Sequence, residues 1–406
     1  MGSVNLDNTG SGSAITLSSD GTSLLLDGTA VGGGGADLYA AETTGSSAPS
    51  AGGTRSLAIG SGASSAGSEA ISIGVGADAQ GNSSVAIGDG AVAGTFSVAI
   101  GWGTADTGSN NTLIGRISAS TYRQSQTIIG HNADGGDYQI GNTAVGYEAK
   151  AMASYSTALS QSYASGQYSF AAAIANNTSS YGATTTNAIA MGNLSKASSA
   201  SGAIAIGNGN ISSGDGAVIG GHLNNSAATG SFIGGGKSNV IGVDAQYSRV
   251  GGYQGKAVSP GQDVYSGGNF AAVGDAQRCT YILRSDTTDA TAEQLTSTNG
   301  TASTWNKLNL PNNSAYFFSG TIIARQDAAT GTDVGAWEIK GAIRREANAA
   351  STVLINSTID DFNVPTGWAV ALTADTTNGG LAITVTGAAA TNIRWVATVN
   401  TSEVTY

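Results

Sequence analysis

Cysteine occurs once in 406 residues, at Cys279, and proline four times. A single thiol excludes an intrachain disulfide framework, and burial is the expected fate of that thiol. With so few prolines, and glycine not falling at every third position, a collagen-like helix is excluded. Charged residues make up 11% of the chain, against about a quarter in ordinary soluble domains. No apolar run approaches the roughly 20 residues that a spanning helix needs, so no membrane insertion is expected. Residues 1–12 have no basic stretch followed by an apolar core, so no secretory signal is expected either. Acids outnumber bases 27 to 16, giving a net charge of −11. The bases form no cluster, which argues against a nucleic-acid groove.

What the chain has in abundance is glycine, 61 residues, alongside a hydrophobic content of 40%. The apolar residues recur in register, which separates the chain from disordered Gly/Ser/Asn tracts. The stretch "SVAIGDGAVAGTFSVAIG", residues 84–101, spells one phrase twice. Its apolar rung positions are Ile59, Ile73, Ile87, Ile100, Ile114, Ile129, Val145 and Leu159, then Ile174, Met191, Ile206, Ile219, Ile233, Val250 and Val273. Successive steps are 13 to 17 residues as far as Val250, and the last is 23. That regularity is a repeat signature. Within each unit, period-two alternation reads as a short strand, and glycines supply positive-φ corners. The fold expected is a narrow β-solenoid.

Both faces of Val85-Ala86-Ile87 are apolar. One face can line the coil and the other needs a partner surface; the pattern leaves open which does which. A lone coil this thin buries too little to offset the entropy of ordering it. Several chains packed about an axis are therefore expected. Near residue 215 the phrasing changes to "GAVIGGHLNNSAATGSFIGGGKSNVIG", richer in paired glycines and asparagines, at unchanged spacing.

The organisation read from these shifts is an N-terminal docking segment and linker, 1–55, with short apolar runs at 14–17 and 23–26 and a glycine run at 32–35. A repeat shaft follows at 56–250, then a neck or irregular last repeat at 251–275 and a C-terminal unit at 276–406. That last unit holds nine glycines and four of the five tryptophans. Its longer alternating runs, punctuated by "PNNS" and "TTNGG", read as a β-sandwich or jelly roll. Phase places Trp337, Trp368 and Trp395 in its core. Trp305 is in phase with Lys307 and Asn309, opposite Leu308 and Leu310, so these three are the candidate receptor-contact residues. Trp102 reads as a surface or seam filler. His131 and His222 follow repeat glycines and would form imidazole rings on a threefold axis, weak candidates for holding a metal; no metal or cofactor is otherwise expected.

The phrases "SLAIGSGASSAGSEAISIG" and "SVAIGDGAVAGTFSVAIG" resemble the head repeats of trimeric autotransporter adhesins, over about residues 56–250. The resemblance implies a homotrimeric left-handed parallel β-roll and a role in adhesion. Departing from that family, the chain shows no secretion signal, no heptad stalk and no convincing membrane anchor. Without the membrane parts, the architecture is similar to bacteriophage tail fibres: a particle-binding N-terminus, a trimeric β-shaft and a receptor-binding tip. The fold class expected is all-β, a trimeric β-solenoid shaft with a C-terminal β-sandwich tip. The resemblance implies a virion-tail protein that acts outside the host cell. Its partners would be itself, other tail or baseplate proteins, and a host glycan or protein receptor. Ile59, Ile73, Ile87, Ile100, Ile114, Ile129, Ile206, Ile219 and Ile233 would carry assembly. A structural virion fibre without its own receptor, a polysaccharide-degrading tail spike and a cell-surface adhesin are the alternatives. Asp134/Asp137, Asp286/Asp289 and Asp360/Asp361 are close in sequence but sit in turn-like contexts, so no enzyme is expected.

Overall fold

The computed structural model describes residues 47–116, 123–175, 179–198, 201–329 and 331–406, and the backbone of four N-terminal strands, Val4–Leu6, Ile15–Ser19, Leu24–Leu26 and Thr29–Val31. The glycine run at 32–35 lies outside the described residues. The chain divides into two compact units, Met1–Tyr168 and Ser169–Tyr406. Both are built from β-strands; among the described residues the helical content is one short 3-10 turn, Ala349–Ser351.

In the first unit the four N-terminal strands form an antiparallel meander. The repeats that follow make a β-solenoid. Leu57–Ile59, Ile71–Ile73, Val85–Ile87, Val98–Ile100, Thr112–Ile114, Thr127–Ile129, Thr143–Val145 and Thr157–Leu159 pair in parallel and in register. A second ladder of two-residue strands, such as Ser64–Ser65, Asp78–Ala79 and Val92–Ala93, runs beside it. The structure resolves which face is inside. Ala86 and Ala99 are fully buried, while Val85, Ile87, Val98 and Ile100 stay partly exposed. Across the coil they meet Ala79, Ala91 and Ala93 in one cluster of alanines. Where serine replaces alanine, the hydroxyls of Ser65 and Ser72 satisfy each other at 2.9 Å. In these coils the interior is methyl-sized and the branched side chains face outward, whereas Leu113 and Ile128 take the inward position in the two coils that follow.

Glycine makes the corners possible. Gly88 has φ +129°, and a Cβ there would lie 2.5 Å from the carbonyl oxygen of Gly101 on the next coil. Any larger residue would push the coils apart.

The second unit continues the pattern with Phe170–Ala172, Ile189–Met191, Ile204–Ile206, Val218–Ile219, Phe232–Ile233, Arg249–Tyr253 and Asp263–Gly267. Several rung positions differ from the expected ones. Ile174 lies outside the Phe170–Ala172 strand, and Val273 lies outside any strand. Ile219 pairs with Ala205, not with Ile206, so Ile219 and Ile233 point inward and are buried. These strands are one residue shorter than those before them, which moves the isoleucine into the position alanine held. Within the segment 251–275, Val264 follows Val250 after 14 residues and pairs with it in register.

The asparagines of the altered phrasing form an internal ladder. Asn224 Nδ2 donates to the carbonyls of Gly220 (2.6 Å) and Gly236 (3.1 Å). Its Oδ1 accepts from the backbone N–H of Asn239 at 2.8 Å, as Asn210 Oδ1 does from Asn224. Each side chain satisfies corner groups on its own coil and the next.

Asp263–Gly267 also pairs antiparallel with Ala276–Thr287, so the last coil joins a long antiparallel sheet within the same unit. That sheet runs in the order Ala276–Thr287, Ile393–Thr405, Ser314–Gln326, Val334–Arg345, Val353–Asn363. A smaller sheet has Gly380–Thr386 between Ala369–Asp375 on one edge and Ala292–Gln294 and Leu308–Asn309 on the other. Both sheets contribute to one core. Trp395 sits at its centre, 5.4 Å from Trp337 and 5.5 Å from Trp368 between ring centroids, and donates to Thr287 Oγ1 at 3.0 Å.

Asn224→Ala removes three hydrogen bonds at a buried corner and is expected to cost about 1–3 kcal/mol. A lower urea midpoint with an unchanged slope would show it.

Candidate functional site

In the second unit a cavity of about 500 Å³ lies where the last coils meet the two C-terminal sheets. Strand pairing sets its polar wall: Glu403 is directly opposite Gln277 on one neighbouring strand and Tyr316 on the other. Glu403 belongs to the inward-facing series Trp395, Ala397, Val399, Thr401, Glu403, and is buried with them. Its carboxylate accepts from Thr401 Oγ1 (2.6 Å), Gln277 Nε2 (2.8 Å) and the Tyr281 hydroxyl (3.2 Å). Burial raises its pKa, against the lowering effect of those donors. Burial also pushes up the Tyr281 and Tyr316 hydroxyls and the Cys279 thiol. Cys279 is 1% exposed, as expected of a lone cysteine.

The opposite wall comes from the smaller sheet and from Arg345. Arg345 Nη1 donates to the Leu310 carbonyl at 2.6 Å, and its guanidinium lies over Gly379, where a Cβ would fall 2.4 Å from Nη1. Neighbouring Asn309 donates through Nδ2 to the Ser303 carbonyl at 3.2 Å.

The trio Trp305, Lys307 and Asn309 does not share one face. Trp305 is 41% exposed, but Lys307 is fully buried and its Nζ pairs with Asp375. The strand begins only at Leu308. Before it, Ser303 N–H donates to Asn306 Oδ1 (2.9 Å), and Asn306 Nδ2 donates to the Thr301 carbonyl (3.0 Å), turning the chain so that alternation fails. Trp102 is exposed with the Arg116 guanidinium 4.7 Å above its ring. His131 is exposed and stacks on Tyr147 at 5.6 Å, and His222 is exposed on its own coil. Among the described residues no group of three or more His, Cys, Asp or Glu side chains is placed to hold a metal ion. Asp289 takes the Thr291 N–H at 2.7 Å, Asp360 faces Lys340 at 3.9 Å, and Asp134 takes Arg123 at 3.1 Å.

Of the expected assembly residues, Ile59, Ile73, Ile87, Ile100 and Ile129 are half-buried on the outer face, and Ile114 and Ile206 are exposed. Ile219 and Ile233 are inside their coils and offer nothing to a neighbour. The Glu403 cluster was missed by sequence reasoning, although the phase that places Trp395 inward also places Glu403 inward.

No protein-family model and no curated protein sequence matches the chain. Among solved structures, the crystal structure of the Acinetobacter baumannii phage AM24 tailspike protein aligns with 86% of this chain at 9% identity and a TM-score of 0.17. The alignment covers 63% of that tailspike, so this chain spans less than two thirds of its length. At that identity and score the likeness carries no weight on fold or activity.

Lys307 and Asp375 form a buried ion pair whose partners respond differently. Burial lowers the Lys307 pKa despite its partner, because its side chain is wholly buried. Burial alone would raise Asp375, but hydrogen bonds from Lys307 and Asn378 and the lysine charge outweigh it and bring it to about 2, from an ordinary 3.8. A carboxyl depressed on folding stabilises above its unfolded pKa and loses that contribution as pH falls through the folded one. Stability should therefore drop between pH 4 and 2. Asp375→Asn should remove that component and cost about 3–5 kcal/mol at pH 7 by stranding the buried lysine. Urea midpoints of both proteins across that range check it.

Proposed function

We propose that this chain is the subunit of a homotrimeric fibre of the phage tail-fibre or tailspike type, with a β-roll shaft and a C-terminal β-sandwich that binds a host-surface glycan or protein. One observation carries the reading: the coils fill their interior with alanine and turn Val85, Ile87, Val98 and Ile100 outward in register. A continuous apolar stripe of this kind marks an interaction surface. Two further copies of the same chain supply matching stripes about a shared axis, and closed symmetry keeps the assembly finite. The N-terminal segment would dock to other tail or baseplate proteins, placing the protein on the virion. The β-sandwich reading of the C-terminal unit rests on its two sheets sharing one core. The protein would act without a cofactor and without catalysis. What favours that reading is that Asp289 caps a turn and Asp360 and Asp134 face Lys340 and Arg123, whereas glycoside cleavage needs two carboxyls set across a cleft.

Light scattering should give three copies of the 39.9 kDa chain. The double variant Ile87→Lys/Ile100→Lys should shift it toward monomer. A monomeric wild-type protein would reject the fibre reading. Trp305→Ala should reduce adsorption to host cells several-fold at unchanged trimer mass. Unchanged adsorption would remove Trp305 from the receptor contact. Wild-type protein that fails to compete with particles for cells would favour a structural fibre with no receptor of its own.

A further inference from the structure

We propose that the last coils of the second unit carry, on their outer face, a trough that binds an extended acidic polysaccharide. The column of outward residues that includes Met191 and Ile206 loses its side chains there. Met191 pairs with Ile206, Ala205 with Ile219, Ile219 with Ile233, and Phe232 with Arg249. Gly220, Gly234 and Gly251 therefore hold that column in the three coils after Ile206. Side chains return at Tyr265, which pairs with Gly251, and at Arg278, which pairs with Tyr265. Four steps of about 4.8 Å set Ile206 and Tyr265 about 19 Å apart. At the Tyr265 end lies a cavity of about 320 Å³, within the range of small-ligand sites, about 300–1,000 Å³. The assignment rests on the attachment reading above, and it adds a ligand class and a place on the coils.

Stacking does not require glycine throughout that column. Gly236 and Gly252 turn corners at φ +86° and +85°, and a Cβ on either would fall 1.9 or 2.0 Å from a carbonyl oxygen of the next coil. Those two are needed by the backbone. A Cβ on Gly251, by contrast, would meet only the Tyr265 ring, at 3.6 Å, and one on Gly220 would meet nothing nearer than 3.4 Å. The same column carries a branched side chain at Ile206, which is 44% exposed. The paired glycines of this stretch thus combine one corner residue with one whose missing side chain leaves open space on the surface.

The borders of that space are aromatic and cationic. Phe232 and Arg249 stand on one side, both exposed. On the corner at the other side His222, Lys237 and Tyr253 follow one another from coil to coil. Lys237 Nζ lies 5.8 Å from the centre of the Tyr253 ring, and the Arg278 guanidinium 5.6 Å from that of Tyr265. Both cations are exposed, and neither makes a hydrogen bond or ion pair among the described residues. Asp263, the acid lining the cavity, is engaged by Arg249 Nε at 3.0 Å. In a chain of net charge −11 this local excess of positive charge attracts an anion. Open guanidinium donors suit carboxylates, and exposed aromatic side chains offer an apolar body beside a polar tip, which suits sugar rings. An acidic peptide fits less well. The strand Arg249–Tyr253 is paired on both sides, so no free edge is left for an added peptide strand.

The test is calorimetric titration of the full-length protein with trigalacturonate, its fully methyl-esterified form and hexaglutamate. Trigalacturonate should bind at least tenfold more tightly than either, since the ester lacks the charge and the peptide lacks the rings. Arg278→Gln should weaken trigalacturonate at least fivefold and leave the ester unchanged. Gly251→Val, which returns a branched side chain to the column, should weaken trigalacturonate at least tenfold at unchanged urea midpoint and unchanged light-scattering mass. A lower mass for Gly251→Val would mean that the trough seats a second copy of the chain, and it overturns the proposal. So do unchanged binding by a folded Gly251→Val protein, equal binding of acid and ester, hexaglutamate bound as tightly as trigalacturonate, or binding of none of the three. Protein that adsorbs to host cells yet shows no such preference rejects the trough alone. Protein with the preference that neither adsorbs nor competes with particles for cells rejects the attachment reading instead.

Discussion

The width of one coil governs the rest of the first unit. Two ladders of very short strands stand so close that only methyl and hydroxymethyl groups fit between them, as at Ala79, Ala86, Ala93 and Ala99. Close packing at native density then leaves no room for a branched side chain inside those coils; Leu113 and Ile128 take the inward position in the coils that follow. Valine and isoleucine, the residues that favour strands, are displaced to the outer face. A solenoid with an alanine core thus gains little from its own interior. Most of the apolar surface it can still bury lies on its outer face, at positions such as Val85, Ile87, Val98 and Ile100.

Backbone satisfaction sets the second demand. Each corner leaves carbonyls and N–H groups that a sheet ladder does not reach, and buried ones need partners. In the first unit glycines with positive φ, such as Gly88, let the next coil approach close enough to bond directly. Asparagine side chains take part of that bonding at Asn111 and Asn142 in the first unit, and in successive coils at Asn210, Asn224 and Asn239, with two carbonyls and one N–H per residue. This polar ladder accompanies the inward move of Ile219 and Ile233. The coils trade alanine for isoleucine on one wall and asparagine at the corner, so one phrase changes into another without a change of period.

Period and alternation were readable because both are consequences of stacking identical coils. The strand positions of the first unit, and the buried faces of Trp337, Trp368 and Trp395, follow from them directly. Phase was harder to read, because a one-residue shortening reverses which residue points inward and leaves spacing nearly unchanged. That is why Ile219 reads as equivalent to Ile206 in the sequence although it pairs with Ala205. Lys307 failed for another reason. Alternation was applied to a segment that Ser303 and Asn306 turn by local side-chain bonds, and no periodicity reports such a bend. Its partner Asp375 lies 68 residues away, out of reach of any local pattern.

The same constraint bears on where the largest side chains gather. The coils around Ala86 and Ala99 hold little more than methyl groups, and those that follow admit Leu113, Arg123 and Ile128. Buried aromatic side chains enter the core where the last coils give way to the long sheet, with Tyr281, Tyr316 and Trp395. Surfaces built from such residues meet imperfectly, and at that seam a cavity opens beside Arg345. The polar residues there are costly to bury: Glu403 sits against its own ionisation and Arg345 carries an unpaired nitrogen. Groups held at such cost cluster at functional sites more often than chance allows. In this fold Glu403 and Arg345 both lie at the junction where the repeat pattern ends.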